Sequence, residues 1–82
     1  MTERETGTDV IRVLLVDDAD EVRRLIRTAL RFRGGFEVVG EAATGAEGVA
    51  QAAALTPDVV VLDLGLPDLA GRDVITRLRE NS

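Results

Sequence analysis

Apolar and polar residues alternate along this chain in two distinct rhythms, one of strands and one of helices. Ile11-Arg12-Val13-Leu14-Leu15-Val16 is apolar on both alternating faces after Arg12. That pattern predicts a central strand covered on both sides. It stops at Asp17-Asp18-Ala19-Asp20-Glu21. Beyond it Val22, Leu25, Ile26, Ala29 and Leu30 recur at helical spacing, which predicts a helix with that stripe turned to the core. Asp18 or Asp20 is placed to cap its start. The acids at its beginning and the arginines towards its end suit the helix dipole. Gly34-Gly35 ends it.

Phe36-Glu37-Val38-Val39-Gly40-Glu41-Ala42 predicts a second strand. With period two, Glu37 and Glu41 share a face, so this strand is expected at a sheet edge. Thr44-Gly45-Ala46-Glu47 matches a capping box, Thr at the cap and Glu three residues on. The helix behind it carries Ala46, Val49, Ala50 and Ala53 on one stripe, small enough to lie close to a sheet. Thr56-Pro57-Asp58 breaks it. Val59 to Leu62 is then a short, fully apolar third strand that ends on Asp63. Leu64 to Ala70 is expected to be a loop, and Val74, Ile75 and Leu78 mark a short third helix led in by Gly71 or Asp73.

The predicted order is β-α-β-α-β-α, which calls for a parallel sheet with right-handed crossovers. Buried first and third strands and a polar second strand at an edge fit the spatial order 2-1-3. That order creates a switch point between the first and third strands, where α/β folds bind ligands beyond the strand C-termini. Asp17, Asp18 and Asp63 all fall there.

Composition narrows the chemistry. The chain has 82 residues, enough for one domain, with 45% apolar residues and a formal net charge of −5. A negative domain is a poor match for nucleic acid or an anionic membrane. There is no Cys, His, Lys, Tyr or Trp, all ten basic residues are Arg, and Ser occurs only as Ser82. The available tools are carboxylates, Thr hydroxyls, Arg and the backbone. A carboxylate site selects a hard cation such as Mg²⁺, Mn²⁺ or Ca²⁺. Residues 1–9 are polar, without an apolar core, and are expected to form a flexible N-terminal tail rather than a signal peptide. No apolar run is long enough to span a membrane.

Three carboxylates at one cleft repel each other unless a cation or raised pKa values offset the charge. Mg²⁺ takes octahedral oxygen coordination and retains several waters. One carboxylate from the first loop, one from Asp63 and a backbone carbonyl two residues later, at Gly65, would leave room for water and a phosphoryl oxygen. That chemistry suits phosphoryl transfer, with Asp63 as a nucleophile forming an acyl phosphate.

The stretches Val13-Leu14-Leu15-Val16-Asp17-Asp18 and Val60-Val61-Leu62-Asp63-Leu64-Gly65-Leu66-Pro67-Asp68-Leu69-Ala70-Gly71 resemble the receiver domain of two-component response regulators. Phe36 to Ala42, with Thr44 to Glu47, is similar to regulators whose output is a helix-turn-helix DNA-binding domain. The resemblance implies a flavodoxin-like, doubly wound sheet. It implies that Asp63 is the phosphoacceptor, taking its phosphoryl group from the phosphohistidine of a sensor histidine kinase. It implies that Asp18 binds Mg²⁺ directly, Asp17 mainly through a metal-bound water, and Gly65 through its carbonyl. Pro67 and Gly71 would shape the loop. A cytoplasmic protein is implied, contacting DNA only through an output domain outside this chain, with self-dephosphorylation at most as enzymatic activity. Homodimer formation is left open.

A complete receiver has five βα units, and residues 10–82 hold the pattern of three. The Ser or Thr expected after the fourth strand and the Lys after the fifth therefore have no counterpart here. With no fourth strand beside it, Val59 to Leu62 becomes an open apolar edge, and an isolated 82-residue chain is expected to associate, swap strands or stay partly unfolded. A receiver-like interaction module that is not phosphorylated is the alternative. A Mg²⁺-dependent Asp-nucleophile phosphatase fits less well, because it calls for a second acid where Gly65 stands. A nucleotide-binding fold fails at its first turn, which is acidic rather than glycine-rich.

Overall fold

The computed structural model describes residues 10–63. Within them the elements run β1 (Ile11–Val16), α1 (Asp20–Arg33), β2 (Phe36–Ala42), α2 (Gly45–Leu55) and β3 (Val59–Leu62). The strands are parallel and lie in the order β2-β1-β3, as the burial pattern predicts. The tail at 1–9, the loop with Gly65, Pro67 and Gly71, and the third helix lie outside the described residues.

β1 forms the centre of the sheet. Val13, Leu14, Leu15 and Val16 are all essentially inaccessible to solvent. Leu14 and Val16 face α2 and pack with Ala42, Val49, Ala52, Val60 and Leu62. Val13 and Leu15 point to the opposite side, because side chains alternate along a strand. The start of β3 is fastened to β1 at Arg12. Its backbone N donates to Asp58 Oδ2 and its carbonyl accepts from Asp58 N, each at 2.8 Å. The Arg12 guanidinium donates to Thr56 O at 2.9 Å. Thr56 closes α2 in the left-handed conformation, φ 45°. That is an unfavourable state for a β-branched residue, held here by bonds on both its N and its O.

α1 ends where the sequence predicts. Gly34 and Gly35 have φ of 81° and 88°, which glycine alone adopts without strain. Gly34 N closes the helix on Leu30 O, and Gly35 O accepts from Ile11 N to start the sheet. The start of the helix differs from expectation. Ala19 is the cap residue, and neither Asp18 nor Asp20 caps. Asp17 turns its carboxylate onto Ala19 N instead, at 2.8 Å. An aspartate two residues ahead of a free N–H forms such a turn readily.

Three packing expectations are corrected. The α1 stripe is only partly inward: Ile26 and Leu30 are half-buried, whereas Leu25 is 70% exposed and Ala29 is also exposed. The close face of α2 is Gly45, Gly48, Val49 and Ala52; Ala46, Ala50 and Ala53 are exposed. Helix and sheet still approach closely, as small residues allow, but through the glycines. Val59 and Val61 of β3 are also exposed, because only the α2 side of that strand is covered among the described residues.

The edge strand also departs from simple alternation. Val13 lies level with Val38, but Leu14 lies level with Gly40, so Val39 is an inserted residue. A one-residue slip inverts every face beyond it. Glu37 is therefore level with Arg12 and Glu41 with Leu15, and the two glutamates lie on opposite faces rather than sharing one.

Candidate functional site

The C-terminal ends of β1 and β3 carry the acids. Asp17 is the first residue past β1, and its backbone N donates to Ala42 O at 3.0 Å. Asp63 is the first residue past β3, and its N donates to Val16 O at 2.9 Å. Both residues are thus continuations of the two ladders that flank Val16. Neighbouring parallel strands bring them to the same end of the sheet. Asp17, Asp18 and Asp63 each offer a carboxylate oxygen, and the three oxygens lie within 4.8 Å of one another. Asp17 and Asp63 are half-buried and Asp18 is exposed.

This donor set has the chemistry of a hard-cation site. It consists of oxygens alone, and the chain has no Cys or His to offer a softer donor. Carboxylates on one open side leave positions for water and a ligand oxygen, as Mg²⁺ requires. Gly65, the fourth residue expected at the cation, lies outside the described residues.

A second set of residues braces this loop, and the sequence pattern did not single it out. Arg23 of α1 is only 13% exposed. Its Nη1 donates to Asp17 O at 2.5 Å, its Nη2 to Asp20 Oδ1 at 2.6 Å, and its Nε to Glu41 Oε1 at 3.0 Å. Arg27 Nη1 donates to the other oxygen of Glu41 at 2.5 Å. Arg27 therefore belongs to this network, whereas Arg24 forms an exposed pair with Asp20 at 3.6 Å. The carbonyl of Glu41 accepts from Gln51 Nε2 of α2 at 2.8 Å. The sequence signal for these contacts was the pairing of i and i+4 arginines on α1 with an acid late in β2.

The other cap is as predicted, with a small variation. Thr44 Oγ1 accepts from Glu47 N, and Glu47 Oε1 accepts from the backbone N of Ala43, both at 3.1 Å. The reciprocal bond reaches one residue further back than the standard box.

Comparison with known proteins agrees with this geometry. Residues 13–82 match the family model described as the response regulator receiver domain. A protein-glutamate methylesterase/protein-glutamine glutaminase from Alkalilimnicola ehrlichii is 46% identical over 70 residues, covering 85% of this chain and 17% of that protein. The transcriptional regulatory protein KdpE of Mycobacterium tuberculosis is 48% identical over 67 residues, covering 82% of this chain and 29% of the relative. The solved response regulator domain of Thermotoga maritima CheB superposes with a TM-score of 0.84 at 34% identity, over 89% of this chain and 55% of that one. The chain thus spans less than a third of these two curated relatives. Their outputs differ, one a methylesterase and one a transcriptional regulator, while the shared part is the fold described above. Receiver domains are regulatory and generally hold Mg²⁺ in an acidic pocket. No helix among the described residues is long and apolar enough to cross a membrane. A parallel 2-1-3 sheet with clustered aspartates at its switch point, matched from Val13 onwards, makes this chain a member of the response regulator receiver domain family.

Proposed function

We propose that this chain is the phosphoacceptor part of a two-component response regulator, with Asp63 as the residue that is phosphorylated. The observation that carries the reading is the meeting of Asp17, Asp18 and Asp63 at the C-terminal ends of adjacent strands. Asp63 is fixed by its ladder bond to Val16 and half-exposed to an incoming donor. Its carboxylate oxygen forms the new O–P bond as the P–N bond of a kinase phosphohistidine breaks. The electron pair of that bond returns to the imidazole. Asp17, Asp18 and Asp63, with the carbonyl of Gly65, are the residues that would hold Mg²⁺. When bound, the ion neutralises charge on the phosphoryl oxygens.

The partner in this reading is a sensor histidine kinase, and the protein is cytoplasmic. The output lies outside residues 10–82. Transcription control is proposed from the likeness of Phe36 to Ala42 and Thr44 to Glu47 to regulators with a helix-turn-helix output; the KdpE match falls on the receiver stretch and does not identify the output by itself. The similarity to methylesterases falls on a stretch of the same length as the receiver match, so esterase activity is not assigned to these residues.

The test is direct. Full-length protein incubated with acetyl phosphate and Mg²⁺ gains one phosphoryl group by intact mass spectrometry, and Asp63→Asn does not. An intact, folded protein that stays unmodified under these conditions refutes the assignment and leaves the interaction-module reading.

A further inference from the structure

We infer that Arg23 is a positioning residue for the acidic site: it fixes the Asp17–Asp18 peptide, and through it the direction of both carboxylates. The inference rests on the reading of Asp17, Asp18 and Asp63 as a cation site.

A peptide unit is planar, so its orientation is set once its two ends are held. The Asp17 end is held by Asp17 N on Ala42 O. The carbonyl of the Asp17–Asp18 peptide is held by Arg23 Nη1. The Asp17 carboxylate adds a third tie, to Ala19 N. That peptide fixes the N–Cα bond of Asp18, and the tie on Ala19 N restrains rotation about it, so the Cα–Cβ bond of Asp18 leaves in a defined direction although Asp18 itself is exposed. A loop without the Arg23 bond would keep its ladder bond but could rotate about the Asp17 ψ angle.

Arg23 is suited to this because its own position is over-determined. Glu41 takes its Nε, and Glu41 is in turn clamped by Arg27 and by Gln51 on its carbonyl. Asp20 takes Nη2. Guanidinium provides these donors in a rigid planar fork, which an ammonium group cannot reproduce. Two carboxylates against one guanidinium also leave little positive charge to repel a cation nearby. Arg23 thus reaches the metal site through a backbone carbonyl without competing for it.

Charge and position predict opposite signs, which makes the idea testable. If Arg23 acted only by its charge, Arg23→Ala would strengthen cation binding, because a positive group near the acids is removed, and Arg23→Lys would leave it unchanged. If Arg23 acts by position, Arg23→Lys weakens binding about tenfold, the usual scale for residues that orient metal ligands. Glu41→Gln loosens Arg23 without touching the loop and gives a smaller loss in the same direction; because it also removes a negative charge, it supports the reading only beside the Arg23→Lys result. Mn²⁺ is titrated into cation-free full-length protein and free Mn²⁺ is counted by electron paramagnetic resonance, with the melting midpoint measured alongside. Arg23→Lys and Glu41→Gln that bind Mn²⁺ within twofold of the parent, even with lowered melting points, overturn the inference. Should Arg23→Lys fail to fold, Arg23→Ala decides, because charge predicts tighter and position weaker Mn²⁺ binding. A parent protein that binds no Mn²⁺, or binds it equally after Asp18→Asn, instead refutes the cation site on which the inference rests.

Discussion

Replacing Gly48 with alanine is expected to destabilise the sheet, although alanine is the better helix former. In a helix interior the exchange gains about 1 kcal/mol of backbone propensity. At this position the new Cβ would sit 2.9 Å from both Val16 methyl carbons. Carbon atoms rest at roughly 3.5–4.0 Å, so helix and strand must part by roughly 0.6–1.1 Å. Val16 cannot yield easily. It is 1% exposed, β-branched, and its carbonyl accepts from Asp63 N. Overpacking of this kind costs about 1–3 kcal/mol. The expected net change is therefore a loss of about 1 kcal/mol. Truncating Val16 to alanine removes both clashing methyls and is itself destabilising by about 2 kcal/mol or more. In that background Gly48→Ala has room and returns its gain of about 1 kcal/mol. The double-mutant cycle thus carries a favourable coupling of about 2 kcal/mol. Native-state hydrogen exchange of the β1 amides reads the opening free energy of this sheet, whatever else the full-length protein contains. If Gly48→Ala alone stabilises β1 by about 1 kcal/mol, or if the two substitutions add, the close approach of α2 to Val16 is wrong.

Two other substitutions probe the ends of the same architecture. Thr44→Ala removes the oxygen that accepts from Glu47 N and is expected to cost about 1 kcal/mol in the same exchange experiment; no change would mean that the cap does not support α2. Asp18→Asn relieves repulsion among three carboxylates, so without divalent cations the variant melts above the parent, whereas Mg²⁺ raises the melting point of the parent and not of the variant. Equal Mg²⁺ stabilisation of both proteins would remove Asp18 from the site.

What could be read in the sequence was what depends on neighbours along the chain or on gross burial. The run Val13 to Val16 has no polar face, and only the middle of a covered sheet accepts that. Alternation of strand and helix then fixed parallel pairing, and strand polarity fixed the order β2-β1-β3. From that order alone Asp17 and Asp63 had to meet. Side-chain direction was less legible. The helix stripes were drawn by hydrophobicity, which ranked Ala46 and Ala53 above Gly45 and Gly48. Distance of approach matters more than transfer energy here, and a glycine with no side chain sits where the sheet is closest. Hydrophobicity likewise turned Leu25 and Val61 inward, although apolarity says only that a surface favours cover, not which segment supplies it.

The inserted residue in β2 has the widest consequence. Without a bulge, Glu41 would follow period two from Glu37 and lie on the α2 face with Arg12. The slip at Val39 carries it to the opposite face, level with Leu15 and beneath α1. There it meets Arg23 and Arg27, placed one helical turn apart on α1 so that both reach a single carboxylate. The same slip sets Gly40 level with Leu14 on the α2 side, where a Cβ would fall 2.4 Å from the Gln51 side chain and 2.7 Å from Leu55. A glycine at that place lets Gln51 come down onto the Glu41 carbonyl. One extra residue therefore lets β2 tie to both helices at Glu41, by side chain on one face and by backbone on the other. Since Arg23 bridges Glu41 to the carbonyl of Asp17, the edge strand is connected to the acidic loop through a single guanidinium. Deleting Val39 would restore plain alternation and the local propensity of β2, yet it would withdraw Glu41 from α1 and leave Arg23 without its innermost acceptor.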